Sequence, residues 1–454
     1  MRLPLLVFFV GLAVYAAFAG GRLRMHSPDN HFVYLADAFL HGQVELTRNP
    51  HHQNDWASYD ELTLKGQSAE QLGPTVKGFF TRRKGKADEF RLLDGREVNI
   101  PRKDRGESKT HYFVSFPPAP AVLMMPWVAA VGYGTNDVIF TVLFAALNGV
   151  LIFLLLRRLR LAGHSERSQR DELWLTLLFA FGTAHLWCAV LGRVWFTALI
   201  VGVTFHLAYL YFAVDARRPL LAGICLAAAF STRATLVFAA VFFYLQLFRP
   251  NSGTPFPVGE RWRRFILFSA PCGIVGLALL AYNQARFGNP MEFGHTFLAN
   301  GTLPRIRDFG LFHPNFLNRN LASAFTLVPR LVDTPPYIQI SKHGLSMLLT
   351  TPALVWLLWP TRQSPLARAM GWTALVVAVP IFFYQNTGWE QFSFRFALDF
   401  MPYLVCCLAL GGRSFGRGFR TLILVGVLVN AIGAATFHRA GKLYADFLTE
   451  EPQR

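Results

Sequence analysis

The sequence predicts an all-α polytopic membrane protein with about eleven transmembrane helices, some interfacial helices and two long external loops. Two observations lead to this fold class. First, 53% of the 454 residues are hydrophobic and only 16% are charged, whereas soluble domains usually carry about a quarter charged residues. Second, the apolar residues come in long uninterrupted blocks, which is the pattern of membrane-spanning helices.

The predicted spans follow one another along the chain, and several are shorter than the ~20 residues that a perpendicular helix needs. They lie at residues 3–20, 137–156, 173–190, 196–214, 219–232, 235–248, 265–283, 345–360, 369–385, 400–411 and 420–437. A further block, 119–133, is broken by Pro120, Pro126 and Gly132, which predicts a re-entrant or interfacial segment. The first block resembles a signal peptide, but its near-spanning length leads us to expect a retained helix.

The arginines predict the orientation of these spans. The short connections after residues 156, 214, 248, 360 and 411 are rich in arginine, whereas the alternate connections carry one each. By the positive-inside rule, the arginine-rich set faces the cytoplasm. The N-terminus is then cytoplasmic, and the C-terminus and the long loops 21–118 and 284–344 are external. We expect residues 1–454 to form a single transmembrane domain.

The net charge of +17 is compatible with nucleic-acid binding, but the arginines sit mainly in short loops, where they set orientation. We therefore expect membrane lipids and no nucleic acid among the partners. All five cysteines lie in apolar stretches without Cys-x-x-Cys or Cys/His spacing, so neither a disulfide framework nor a structural zinc site is indicated.

Two local structures are predicted in the first long loop. Residues 29–42 favour a helix near the membrane surface, whose apolar stripe consists of Phe32, Leu35, Ala36 and Phe39. Residues 90–93 and 97–100 flank an Asp-Gly pair and predict a small β-hairpin insertion.

Asp29 is the sharpest candidate for chemistry. It follows the first predicted span closely and stands at the start of the surface helix. A carboxylate at that position can serve as a general base on an acceptor hydroxyl or amine. The alternative is a structural role at the helix start, where Ser, Pro and Asp are common.

Basic and aromatic residues accompany Asp29 at the outer rim. Arg193, Arg233 and Arg395 each stand at a short outer turn and either bind phosphate or extend to the interface. Lys342 precedes the span that begins at 345 and joins this set. The candidate contacts for a sugar or acceptor are His31, Tyr34, Trp195 and Trp389; the alternative for the aromatic ones is membrane-interface or core packing.

Several stretches, in order along nearly the whole chain, resemble the GT-C superfamily of polytopic glycosyltransferases, which use polyprenyl-phosphate sugars. The nearest likeness is to bacterial relatives of protein O-mannosyltransferases and to lipid A aminoarabinose transferases. SPDNHFVYLADAFLHGQVEL is similar to that family's first outer loop and FVSFPPAPAVLMMPWVAAVG to its Pro-Pro segment. FGTAHLWCAVLGRVW, LAGICLAAAFSTRAT and YNQARFGNPMEFGHTF resemble its internal stretches, and KHGLSMLLTTP and GWEQFSFRFALDFMPYL its late ones.

The resemblance implies a GT-C-like fold and an enzyme that moves a sugar from a polyprenyl-phosphate donor to a lipid, glycan or protein acceptor. It also implies a bacterial inner membrane, with the long loops and the C-terminus in the periplasm. It places Asp29 at the catalytic base position and Arg233 and Arg395 near the donor phosphate. The chain departs from the family in having Asp29-Asn30 instead of an Asp-Glu pair, and Ser393-Phe394-Arg395-Phe396 instead of Gly-Pro-Arg-Tyr. With one clear carboxylate at this position, we expect no obligatory divalent cation and no other cofactor.

Two other classes of protein remain open from the sequence. A membrane transporter would carry midplane charges, broken helices or repeated halves, whereas the predicted spans are nearly free of charge. A non-catalytic lipid-binding or assembly protein would tolerate replacement of Asp29.

Overall fold

Helices make up most of the computed structural model, which describes residues 2–81, 88–298 and 303–448. The α-helices are α1 (Arg2–Ala19), α2 (His31–Leu40), α3 (Gly66–Leu72), α4 (Ala119–Val131), α5 (Asp137–Leu161), α6 (Gln169–Phe181), α7 (His185–Ala189), α8 (Val194–Ala213), α9 (Pro219–Phe230), α10 (Ala240–Phe248), α11 (Val258–Phe287), α12 (Leu303–Phe309), α13 (Leu317–Leu321), α14 (Met347–Thr350), α15 (Pro365–Phe382), α16 (Met401–Leu410) and α17 (Arg417–Thr436).

Within the described residues, six helices are long and apolar enough to cross a membrane, by length and composition. They contain α1, α5, α8, α11, α15 and α17, and each coincides with a predicted span. The other five predicted spans form shorter helices, because proline, glycine or a 3-10 segment interrupts the run: α6 ends at Gly182, and Pro352 opens a 3-10 helix after α14. The predicted count of about eleven is therefore not confirmed, while a multi-pass arrangement is.

The strands fall into three small sheets. They are β1 (Trp56–Leu64), β2 (Thr75–Phe80), β3 (Glu89–Leu92), β4 (Glu97–Asn99), β5 (Arg105–Val114), β6 (Arg330–Leu331), β7 (Ile338–Ser341), β8 (His343–Leu345), β9 (Gln391–Ser393) and β10 (Tyr444–Ala445). The fold is thus not purely α-helical. The predicted hairpin is confirmed as β3 and β4, which turn at Asp94 and Gly95, but it belongs to an antiparallel five-stranded sheet in the order β4-β3-β2-β1-β5.

The chain divides into two compact units. The first comprises Met1–Asn30, Asn136–Ile274 and Leu311–Arg454, and the second His31–Thr135 and Val275–Gly310. The second unit contains the five-stranded sheet, whose apolar side chains, among them Leu62, Val76 and Phe90, form a core of their own.

Helix α2 belongs to the second unit and is buried more completely than the sequence predicts. His31 to Ala38 are all buried, including residues outside the predicted apolar stripe. The reason is tertiary: α2 packs against α4 and β5 of the same unit. The carboxylate of Asp37 is buried as well and accepts a hydrogen bond of 2.6 Å from the hydroxyl of Tyr133.

In the first unit, two short parallel strands bring distant parts of the chain together. Strand β8 pairs with β9, with His343 opposite Gln391 and Leu345 opposite Ser393. The backbone amide of Gln391 also donates a hydrogen bond to the backbone carbonyl of Lys342 at 3.0 Å. This register places Lys342, the residue before β8, beside Glu390, the residue before β9.

Candidate active site

Asp29 lies buried in the first unit and is paired with Arg193. Only 3% of the residue is exposed, and its Oδ2 lies 3.2 Å from Nη1 of Arg193. The backbone amide of Val194, at the start of α8, donates to the carbonyl of Asp29 at 3.0 Å. Both the backbone and the side chain of Asp29 are therefore fixed by the N-terminal end of α8.

The turn that carries Asp29 is also fixed from a second direction, at Asp137. The backbone amide and the hydroxyl of Ser27 donate to the two carboxylate oxygens of Asp137 at 2.7 and 2.6 Å. Asp137 is buried at the first position of α5, where the helix dipole favours a negative charge. The turn is consequently attached to the ends of two spans.

Gly192 explains how Arg193 comes so close to the turn that carries Asp29. Its φ is +70°, a conformation that L side chains rarely adopt. A Cβ on Gly192 would lie 2.6 Å from Cγ2 and 2.7 Å from the backbone nitrogen of Val138. Only glycine at position 192 lets the turn before α8 pack against the start of α5.

Lys342 lies at the start of the β8–β9 pair, as part of an ion pair that the sequence did not predict. Its Nζ is 2.6 Å from Oε1 of Glu390 and 5.3 Å from the ring centroid of Trp389. Trp389 is 45% exposed. The arrangement combines a cation, a carboxylate and an open aromatic face.

Arg395 is nearly completely buried, with 3% exposed. Its backbone amide donates to Oε1 of Gln391 at 2.9 Å, and Nη1 donates to the carbonyl of Glu390 at 3.0 Å. The guanidinium carbon lies 5.0 Å from the ring of Phe196 and 5.4 Å from that of Phe396. Arg395 is thus held in place by β9 and by aromatic rings.

His438, which follows α17, lies within electrostatic reach of four cations. Burial, and after it the charges of Arg193, Arg22, Arg395 and Lys342, lower the pKa of His438 from 6.5 to about 3. Its Nδ1 lies 3.9 Å from Oε2 of Glu390. The structure therefore brings together three predicted phosphate-binding residues, namely Arg193, Lys342 and Arg395, around one neutral imidazole. Asp29 and Glu390 compensate two of the four cations, and the positive charge that remains favours a negatively charged ligand.

Arg233 is fully engaged by another carboxylate. Its Nε and Nη2 donate to the two oxygens of Asp399 at 3.1 and 2.6 Å, and the hydroxyl of Thr235 donates to the same carboxylate at 2.7 Å. Its guanidinium lies 5.3 Å from the ring of Phe396, the ring that Arg395 also contacts. Arg233 and Arg395 are thus neighbours, but Asp399 balances the charge of Arg233.

The four predicted sugar or acceptor contacts are divided between the units. His31 and Tyr34 belong to the second, where His31 stacks on Trp56 with centroids 3.7 Å apart and Tyr34 contacts the edge of Trp56 at 5.3 Å. Both are buried in that aromatic cluster. Trp195 and Trp389 belong to the first unit, and Trp195 is partly exposed next to Phe196.

Sequence reasoning missed Arg22, Asp137, Glu390, Asp399 and His438. Asp399 had a signal, since an acid four residues after the late-motif Arg395 is unusual in an apolar stretch. The other four residues have no such signal in the sequence, because each contacts a partner that is far away in the chain. Within the described residues, no group of three or more His, Cys, Asp or Glu side chains is arranged to hold a metal ion. The expectation about metal stays a prediction.

No protein-family model matches the chain, and no curated protein matches it. Its structure is similar to the crystal structure of the Archaeoglobus fulgidus oligosaccharyltransferase in the apo form, with 12% sequence identity and a TM-score of 0.48. The similarity covers 99% of this chain and 57% of that one, so this chain spans little more than half of that protein's length. A likeness of this degree carries no argument about function.

Proposed function

We propose that the protein is a membrane glycosyltransferase of the GT-C type. In this proposal it moves a sugar from a polyprenyl-phosphate donor to a lipid, glycan or protein acceptor on the periplasmic face of a bacterial inner membrane. The observation that carries the proposal is the placement of Asp29, a buried carboxylate, next to Arg193, one of the four cations around His438. A base beside a strongly positive site suits a reaction that releases a phosphate.

Asp29 takes the acceptor's proton in this mechanism. The acceptor oxygen or nitrogen attacks the anomeric carbon of the sugar, and its proton passes to the carboxylate of Asp29. The bond from the anomeric carbon to the phosphate oxygen breaks on the opposite side, which inverts the configuration. The Arg193 guanidinium and the Val194 amide hold Asp29 in place for this step.

Arg193, Lys342 and Arg395 stabilise the negative charge that develops on the departing polyprenyl phosphate. Glu390 already occupies one side of Lys342, so the phosphate competes with that carboxylate. Arg233 acts on the donor indirectly: with Asp399 it positions Phe396, against which Arg395 rests. No metal ion takes part in the proposed reaction.

Aromatic side chains provide the contacts with the sugar and the acceptor. The exposed face of Trp389, beside Lys342, suits stacking on a sugar ring next to the phosphate. Trp195 lies two residues beyond Arg193. His31 and Tyr34 follow Asp29 directly in the chain, and their proposed contact with the acceptor requires them to leave the packing around Trp56.

The test compares wild type with Asp29→Asn on a panel of radiolabelled polyprenyl-phosphate sugars, using purified full-length protein in detergent. We expect wild type to bind one donor and to turn it over by hydrolysis, with water taking the place of the acceptor. Asp29→Asn should still bind that donor and turn it over about 10²–10⁴-fold more slowly, which is the usual contribution of a general base. Asp333→Asn, which removes an exposed carboxylate from the same unit, is the control and should behave as wild type.

Two results would contradict the proposal. If Asp29→Asn keeps full turnover, Asp29 is a structural residue of the turn. If wild type binds no donor of the panel, the protein is not a polyprenyl-phosphate-dependent transferase.

A further inference from the structure

The first unit contains a cavity of about 400 Å³ that the proposed reaction does not use. Its walls come from the loop between α5 and α6, the loop between α16 and α17, and Arg362 in front of α15. The first loop follows the C-terminal end of α5, and the second loop precedes the N-terminal end of α17. Asp137 stands at the opposite end of α5, and His438 follows the opposite end of α17. The cavity and the candidate active site therefore lie at opposite ends of these spans.

Arg167 is one of three arginines that line this cavity, and it is nearly completely buried. Only 9% of the residue is exposed. Its guanidinium lies 3.7 Å from the ring centroid of Phe415, and Nη2 donates to the carbonyl of Leu408 at 3.0 Å. Within the described part of the chain, its buried Nε has no hydrogen-bond partner. A buried guanidinium with donor capacity left over is expensive unless an anion satisfies it.

The N-terminus of α17 opens on the same cavity. Its N-cap is Gly416, which has no side chain to accept a hydrogen bond from the first amides of the helix. The backbone does not require glycine here, because φ is −69° and ψ is −173°, and a Cβ would meet no described atom within 4 Å. Arg420, one turn into the helix, lines the cavity too. A helix N-terminus flanked by arginines is a favourable site for phosphate.

The two acids of the cavity wall have partners of their own. Oε1 of Glu166 lies 2.5 Å from Nη1 of Arg362. Asp171 accepts hydrogen bonds from the amide and hydroxyl of Ser168, in the capping box that begins α6. Arg362 thus compensates the charge of Glu166, whereas the partner of Asp171 is an uncharged serine. The three arginines of the lining outnumber its two acids, which leaves the cavity wall positively charged.

We propose that this cavity binds the phosphate group of an anionic phospholipid. The ligand chemistry is a phosphate ester, for which Arg167, Arg420 and the first amides of α17 are the donors. The lipid is the source because the cavity lies at the ends of spans, and basic pockets between transmembrane helices bind anionic headgroups. The site is separate from the proposed transferase site and does not depend on that activity.

The experiment counts bound lipids by native mass spectrometry of the full-length protein in detergent. The probes are phosphatidylglycerol, zwitterionic phosphatidylcholine, and inorganic phosphate as the soluble source. We expect one tightly bound phosphatidylglycerol per wild-type chain. The double variant Arg167→Gln/Arg420→Gln should bind it about thirtyfold more weakly. The control Arg217→Gln/Arg218→Gln removes the same charge from an exposed loop between α8 and α9 and should bind as wild type does.

A second variant covers the case in which loss of Arg167 disturbs folding. Gly416→Asp caps α17 with a favourable residue and places a negative charge where the phosphate binds. We expect its melting temperature to equal or exceed that of wild type while the tight phosphatidylglycerol is lost. The proposal is overturned if Gly416→Asp keeps the lipid, if phosphatidylcholine binds equally well, or if inorganic phosphate binds in place of the lipid.

Discussion

At the scale of single residues, the candidate site is built from carboxylates that each have a cationic partner. Asp29 pairs with Arg193, Asp399 with Arg233, and Glu390 with Lys342. The first two carboxylates are nearly fully buried, whereas Glu390 is about a third exposed. Removing one partner of a buried pair leaves the other charge without compensation, and that costs more than the pair contributes.

Arg233→Leu should destabilise the protein strongly, because Asp399 is only 2% exposed. An uncompensated buried carboxylate costs about 3–5 kcal/mol, so the melting temperature in detergent should fall by several degrees. The double variant Arg233→Leu/Asp399→Leu should recover most of this loss, since an apolar pair replaces the ion pair. If the single variant melts as wild type does, the pair is not a structural element of the site.

His438 should make the stability of the protein sensitive to acid. The folded chain binds a proton on this imidazole only at about pH 3, whereas the unfolded chain binds it near 6.5. Protonation therefore favours the unfolded state, and stability is lost as the pH falls from 6.5 towards 3. Facing the ring are Arg22, Arg193, Arg395, Lys342 and Glu390.

We expect His438→Asn to reduce that acid sensitivity. Asparagine cannot titrate in this range, and it tolerates the φ of +56° at this position. Melting temperatures measured between pH 7.5 and about 4.5 should fall less for the variant than for wild type. Equal slopes for the two proteins would mean that His438 is not the group responsible.

At the scale of elements, the start of α8 has the most direct effect on the site. The turn at Gly192 sets the position of Arg193 and of the Val194 amide, two groups that contact Asp29. The turn depends on glycine both for its φ and for its approach to Val138.

Gly192→Ala should therefore lower both the melting temperature and the turnover, because its Cβ overlaps the backbone of α5. Gly163→Ala is a matched control. Gly163 also has a positive φ, +77°, but a Cβ there would meet no described atom within 4 Å. A side chain at such a φ costs roughly 1–2 kcal/mol by itself, so only the additional loss in Gly192→Ala reports the packing of this turn. Equal losses in the two variants would contradict the role of the turn.

The elements that the sequence predicted best are those that a local pattern specifies. Uninterrupted apolar length identified the spans that contain α1, α5, α8, α11, α15 and α17, and an Asp-Gly turn identified the β3–β4 hairpin. Apolarity alone does not tell a span from a short buried helix such as α16, which is why the predicted count of about eleven spans is not confirmed. The burial of α2 on all sides depends on α4 and β5, which its own periodicity does not contain.

At the scale of the whole molecule, the sequence predicted individual charged residues of the site but not which of them contact one another. Asp29, Arg193, Lys342 and Arg395 stood out as charges at the ends of apolar blocks. Their contacts join positions far apart in the chain, as in the pair of Arg233 and Asp399, which are separated by 166 positions. No local pattern records such pairings, so Glu390 and His438 were not foreseen.

The predicted orientation has a direct test in intact cells with a membrane-impermeant maleimide. Ser108→Cys introduces an exposed thiol in the first long loop, and Ser252→Cys introduces one in the connection after α10. We expect Ser108→Cys to label in intact cells and Ser252→Cys only after permeabilisation. The unsubstituted protein is the control for the five native cysteines. The reverse labelling pattern would invert the orientation and place the proposed active site in the cytoplasm.

The parallel pairing of β8 with β9 has a consequence for biosynthesis. Parallel neighbours need a long crossover, and here that crossover contains α15. Lys342 therefore meets Glu390 only after this whole span has left the ribosome, and His438 follows later still. Asp29, by contrast, is among the first residues to be translated. A nascent chain thus carries its proposed base long before the other residues of the candidate site, and premature termination before α15 leaves a protein without Glu390, Arg395 and His438.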